Sequence, residues 1–214
     1  MDRKPVILSS SIVRNGMAVL DGKIVLRGSA QEDFNQFSRS VYKKLDLQYP
    51  RFFKMDNLCK LAFLASELIW TPNDPRKIMD GSRIAVMLCN RASSLDTDRN
   101  FYSSISSGDY FPSPAVFVYT LPNIMIGEIC IRKNITGENA FFIFDRFDPA
   151  FVFEYVSSLI GQGRADACLC GWCDYDEGRA DAFFVLAGMT TPANKEDLFT
   201  VDNLNKLYNL TNPI

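Results

Sequence analysis

The chain has 214 residues, 47% of them hydrophobic and 22% charged, with 17 Phe, which suits a globular domain with an aromatic core. Its 23 basic and 25 acidic residues give a net charge of −2, leaving no basic field to hold nucleic acid or an anionic membrane surface. There is no histidine, which excludes imidazole-assisted nucleophiles and histidine metal sites, and no apolar run reaches the roughly 20 residues of a membrane span.

In chain order, the N-terminus lacks the apolar core of a signal peptide, so the expected compartment is cytoplasmic. Val6 to Val13 reads as a first strand, and Gly22-Lys23 as a turn into Ile24-Val-Leu26. Phe34, Phe37, Val41 and Leu45 recur at helical spacing, predicting an amphipathic surface helix over 31–45. Tyr49-Pro50-Arg51 breaks it. A stronger helix starts near Met55, with Asp56 as its cap and Leu58, Leu61, Ala62, Ala65, Leu68 and Ile69 as the buried stripe. Residues 71–82 are polar and turn-rich, a predicted surface loop.

Arg83 to Leu88 is a predicted buried strand. Asp96 and Asp98 after it suit the capping of a helix, where carboxylates favour the dipole, better than they suit a catalytic pair, because no acid–base partner stands nearby. Residues 103–109 form a Ser/Gly loop, 113–123 an apolar segment, and Ile124 to Ile131 a helix. Ala140-Phe-Phe-Ile-Phe144 is a uniformly apolar run, expected to be a strand buried on both faces. Asp148-Pro149 then offers a cap carboxylate and a first-turn proline to a helix bearing Val152, Phe153, Val156, Leu159 and Ile160, stopped by Gly161 and Gly163. Ala165 to Gly171 returns as a strand, completing a βαβ crossover whose chemistry belongs at the turn after its first strand. Tyr175 to Arg179 is a tight polar turn into Ala182–Ala187, a hairpin, and Lys195 to Leu210 holds one or two terminal helices.

Of the six cysteines, Cys59, Cys89, Cys130, Cys168, Cys170 and Cys173, the last three cluster around one strand, where Cys168 and Cys170 share a face. Cys170 and Cys173 make a single Cys-x-x-Cys pair, short of the about four ligands of a structural zinc site. The cysteines therefore read as reduced core residues. No cofactor or metal is expected.

The segment Gly137-Glu-Asn139, followed by strand, turn, helix and Leu159-Ile-Gly-Gln-Gly-Arg-Ala-Asp166, resembles the nucleophile region of the β-ketoacyl-acyl-carrier-protein synthases. Ser113-Pro-Ala-Val-Phe-Val-Tyr-Thr-Leu-Pro-Asn123 resembles the segment that in this family reaches the dimer interface and lines the partner's acyl tunnel. The resemblance implies a thiolase-like α/β half-domain over 1–214, with a mixed, mostly parallel sheet of about five strands between helix layers. It places Arg146 at the nucleophile position and Val116, Phe117, Thr120 and Ile124 at the tunnel or dimer interface. A guanidinium stays protonated and offers no lone pair to a thioester. Arg146 would either form a local ion-paired cap with Asp145 and Asp148, or fill the thioester's place and meet the phosphate of a carrier protein's prosthetic arm.

The resemblance covers only the N-terminal half of a full synthase. Apolar edges left where the other half would pack are expected to drive pairing. The implied role is that of a non-catalytic, chain-length-factor-like partner of an active ketosynthase, in fatty-acid, polyketide or aryl-polyene synthesis. A carrier protein is a further expected partner. Two alternatives stay open: a self-associating scaffold homodimer, and an independent thiol enzyme using Cys170 or Cys173.

Overall fold

A computed structural model describes residues 5–70, 80–105, 113–189 and 194–210. The expected loops at 71–82 and 103–109 fall partly outside them, at 71–79 and 106–109.

Seven strands make one mixed sheet: β1 (Val6–Arg14), β2 (Met17–Leu20), β3 (Lys23–Arg27), β4 (Ile84–Asn90), β5 (Asn139–Ile143), β6 (Ala167–Asp176) and β7 (Arg179–Gly188). Their spatial order is β3-β2-β1-β7-β6-β4-β5. The α/β fold class holds, but the strand count and the balance of pairings differ from expectation. β4 pairs in parallel with β5 and β6, whereas the other pairings are antiparallel. Three hairpins contribute antiparallel pairings, the first two of them through the unforeseen β2. β2, too short and too plain to stand out in the sequence, joins β1 and β3 through turns at Asn15-Gly16 and Asp21-Gly22, and Glu177-Gly178 joins β6 to β7 as expected. Both residues of each turn have positive φ, the geometry whose twist matches the flanking strands.

One face of the sheet is covered by α1 (Phe34–Lys44), α2 (Asn57–Trp70) and α5 (Ile124–Lys133). α1 starts with a reciprocal capping box between Asp33 and Gln36 and buries Phe34, Phe37 and Val41. α2 is buried on all sides rather than along one stripe, and the Asp56 carboxylate accepts from the Cys59 amide as expected. Within it, the buried Glu67 pairs with Lys133 at 2.9 Å and Arg132 at 3.0 Å of α5. The opposite face is covered by α6 (Pro149–Gly161) and α7 (Val201–Tyr208). Val152, Val156, Leu159 and Ile160 of α6, with Phe199 and Leu204, close it over Phe183, Val185 and Ile12.

β5 corrects the expectation of a strand buried on both faces. It is an edge strand, its residues half-buried or exposed, and Ile143 is 56% exposed. Its apolar run serves an aromatic cluster in which the Phe142 and Phe144 rings meet Phe151 of α6 at 4.8 and 4.9 Å.

Two short helices complete the fold: α3 (Leu95–Ser103), after β4, and α4 (Pro114–Phe117), which continues as a 3₁₀ turn over Val118–Thr120. Asp96 and Asp98 do not cap α3. Both lie in its first turn, while Ser94 is the cap residue. Asp96 instead accepts from the Asn57 amide at 3.4 Å, and Asp98 from the Ser94 hydroxyl at 3.1 Å. Among the described residues no single helix is long and apolar enough to cross a membrane.

Candidate functional site

The turn between β5 and α6 lies at the carboxyl end of a parallel strand pair, where open α/β sheets place their chemistry. The Asp148 carboxylate accepts from the Ala150 and Phe151 amides at 3.0 Å, and Pro149 enters the first turn, so the start of α6 is fixed as expected. Phe147 turns inward and is buried. Its ring lies 5.4 Å from Phe183 and 4.6 Å from Tyr208 of α7. Tyr208 is held in turn by its hydroxyl, which donates to Asp181 at 3.0 Å, and by the Arg14 guanidinium 4.5 Å above its ring. Anchoring one residue on leaves Arg146 exposed, on a hollow of about 450 Å³ lined by residues 144–149.

The expected ion-paired cap does not form. Among the described residues Arg146 makes no salt bridge, and one Asp148 oxygen, Oδ1, accepts both amides at the start of α6.

The thiols offer no substitute. All six cysteines are free, and all but Cys130 are buried. Burial pushes the Cys170 and Cys173 thiols well above their ordinary range, Cys89 to about 12 and Cys130 to about 11. A nucleophilic thiol needs the opposite shift. Cys170 and Cys173 also lie in the cores on opposite faces of the sheet, so they form no pair. No group of metal-binding side chains occurs among the described residues.

The tunnel candidates lie together in one segment running from α4 into α5. Val116 is half-buried and lines a cleft of about 320 Å³ with Tyr119, Met55 and Thr97. Phe117 is 55% exposed, its ring 5.4 Å from Phe101 of α3. The Thr120 hydroxyl donates to the Phe117 carbonyl at 2.7 Å, and the Thr120 carbonyl accepts from Ser94 at 2.8 Å. Ile124 is half-buried against the α2–α5 core. The sequence reading missed the exposed apolar residues beside them: Val118, Leu121, and Leu95 and Tyr102 of α3. Exposed apolar groups of this density mark contact surfaces. No hydrogen bond, ion pair or ring contact among the described residues joins this segment to Arg146.

The reading also missed what holds the segment. Glu128 of α5 is buried; its Oε1 accepts from the Tyr119 hydroxyl at 3.1 Å and pairs with Arg51 Nη2 at 2.9 Å. The signal was a lone carboxylate inside the apolar helix 124–131, which must find a cation or a donor to be buried at all.

No family model matches the chain, and no curated protein matches it. Solved structures do. One chain of a structure described as the ishigamide ketosynthase/chain length factor superposes with a TM-score of 0.61 at 18% identity, covering 90% of this chain and 63% of that one. The chain has the fold of a ketosynthase subunit. A type II polyketide synthase acyl-carrier protein in complex with its ketosynthase gives a TM-score of 0.56 at 13% identity, covering 88% of this chain and again 63% of the other. The ketosynthase-like chain therefore spans less than two-thirds of the length of these two neighbours. A chain from the ketosynthase ApeO in complex with its chain length factor ApeC, from Xenorhabdus doucetiae, superposes with a TM-score of 0.58 at 12% identity, over 96% of this chain and 90% of that one. The thiolase-like architecture implied by the motifs at 113–123 and 137–166 is thus the architecture found.

Proposed function

We propose that this chain is a non-catalytic ketosynthase-like subunit that pairs with an active β-ketoacyl synthase and contributes Val116, Phe117, Thr120 and Ile124 to the wall of its acyl tunnel. The pathway class is fatty-acid, polyketide or aryl-polyene synthesis. The observation that carries the reading is chemical: an exposed guanidinium, Arg146, stands on the elbow after β5, in a chain without histidine whose Cys170 and Cys173 thiols are buried and pushed well above their ordinary range. On this reading no acyl-enzyme forms at the elbow. The exposed Phe117, Val118 and Leu121 supply a surface for a partner, and six free cysteines suit a reducing, cytoplasmic setting. Arg146, with no ion partner among the described residues, is placed to meet an anionic group such as a carrier protein's phosphate.

A scaffold homodimer is the second reading, favoured by β5. This edge carries unpaired backbone groups on Asn139-Ala-Phe-Phe-Ile143 and no charged side chain, so it lacks the usual guard against pairing with another strand. The opposite edge, β3, is flanked by Lys23 and Arg27. Co-expression with a histidine-containing synthase from the same gene neighbourhood, followed by native mass measurement, separates the readings. The proposal expects a one-to-one complex of the two chains; a stable homodimer that captures no synthase favours the scaffold.

A further inference from the structure

The segment 114–120 contains no fully buried residue, and its apolar packing is limited to Tyr119 against the α2–α5 core and Phe117 against Phe101. Polar side chains from three other elements hold it. The Tyr119 hydroxyl donates to Glu128 of α5, Arg51 of the 3₁₀ turn 50–54 pairs with the same carboxylate oxygen, and Ser94 donates to the Thr120 carbonyl. Glu128 is 2% exposed, and its second oxygen, Oε2, is buried with no hydrogen-bond partner among the described residues. A buried carboxylate with one oxygen unpaired is a poor way to stabilise a helix, since an apolar side chain of similar size would avoid the desolvation cost. What Glu128 supplies that an apolar residue could not is a fixed acceptor under Tyr119. Burial, followed by the Glu128 charge, pushes the Tyr119 hydroxyl up to about 12, so it remains a donor throughout the physiological range.

We infer that Glu128 is a positioning residue: acting through Tyr119, with Arg51 holding it in register, it sets the position of the 113–121 segment and so the length of acyl chain the tunnel accepts. The first half of this statement concerns the chain alone; the second rests on the pairing proposed above. Tyr119 borders the same cleft as Val116, so a change in its tether moves the wall at Val116 and Phe117 directly.

Two measurements test it. Amide hydrogen exchange on the isolated chain reads position: Tyr119→Phe and Glu128→Leu are expected to speed exchange at 116–120 by about tenfold or more, while β4 and β6 are unchanged. Glu128→Gln keeps an acceptor for the Tyr119 hydroxyl and is expected to exchange close to wild type, which separates tethering from general loosening of α5. If Tyr119→Phe leaves exchange at 116–120 unaltered, the inference is overturned whatever the chain's function. The second measurement is the product-length distribution of the co-expressed complex, expected to broaden or shift in Tyr119→Phe with the amount of complex unaltered. Capture of the synthase with an unchanged distribution overturns the link to chain length. Failure to capture any synthase, with the exchange effect present, overturns the proposed pairing and the length claim together and leaves the tether standing.

Discussion

Alkylation of the native protein at pH 8 gives a quantitative test of the claim that no thiol here is a nucleophile. The thiolate reacts, so the rate follows the thiolate fraction multiplied by access to the reagent. A free cysteine with an ordinary value of about 8.5 is roughly a quarter ionised at pH 8. Cys130, pushed by burial to about 11, is ionised about one part in a thousand, and Cys89, at about 12, about one in ten thousand. Their rates should therefore fall by roughly two hundredfold and two thousandfold before any loss of access is counted. Cys170 and Cys173, completely buried and shifted in the same direction, should react only through unfolding. With iodoacetamide and peptide mass mapping, Cys130 is expected to label first and slowly, the five buried thiols later, and all six at once in concentrated urea. Labelling of Cys170 or Cys173 in the folded protein at the rate of free cysteine would refute the reasoning and revive the thiol-enzyme alternative.

Gly171→Ala should unfold or severely destabilise the protein. Gly171 lies mid-strand at φ +147, and an added Cβ would sit 2.0 Å from the Phe183 carbonyl oxygen, in the backbone of a central strand that cannot give way. A loss above about 4 kcal/mol is expected, or about 10 °C in Tm, and a Tm within 2–3 °C of wild type by calorimetry, the shift of roughly 1 kcal/mol, would contradict the geometry. Asp148→Ala removes the two amide acceptors at the start of α6 and should cost about 1 kcal/mol in urea denaturation. Burial, followed by nearby Asp56 and Asp176, raises the Asp96 carboxyl above its ordinary value, so the folded state binds this proton more tightly than the unfolded chain. Stability from that preference is present at acid pH and lost as pH rises through the raised value. Asp96→Asn should therefore raise Tm slightly at pH 7 and have little effect near pH 3.5; the reverse pattern in a pH series of melts would contradict it. Arg146→Cys should create a thiol that alkylates readily at the exposed elbow yet supports no condensation, since no imidazole stands anywhere in the chain.

What the sequence disclosed followed from signals local to a few residues. Asp148-Pro149, the helical stripe of α6 and the Glu177-Gly178 turn each carry their geometry in adjacent side chains, so the crossover and the final hairpin came out in the right places. β5 did not, because an apolar run looks alike whether it is buried between strands or shielded by aromatic neighbours at an edge. Only the pairing of β4 with β6 on its other side decides that. The Asp96 and Asp98 roles failed for a similar reason. A carboxylate in a first turn is attracted both by the helix dipole and by side-chain donors; Asn57, the donor to Asp96, lies 39 positions away, while Asp98 takes the hydroxyl of the neighbouring Ser94. The resemblance placed Arg146 at the elbow, but its lack of an ion partner among the described residues depends on side-chain geometry that neighbouring letters do not encode. The Glu128–Tyr119–Arg51 tether joins residues up to 77 positions apart, beyond any periodicity.

As proposed, this chain carries no acyl group itself and serves a synthase that does. Incubation of the purified chain with acyl- and malonyl-carrier proteins, with and without a histidine-containing ketosynthase, and mass analysis of the thioester products, tests it most directly. The account predicts no condensation and no acylated residue in the chain alone, and product only when the synthase is added. Condensation product from the chain by itself would contradict it.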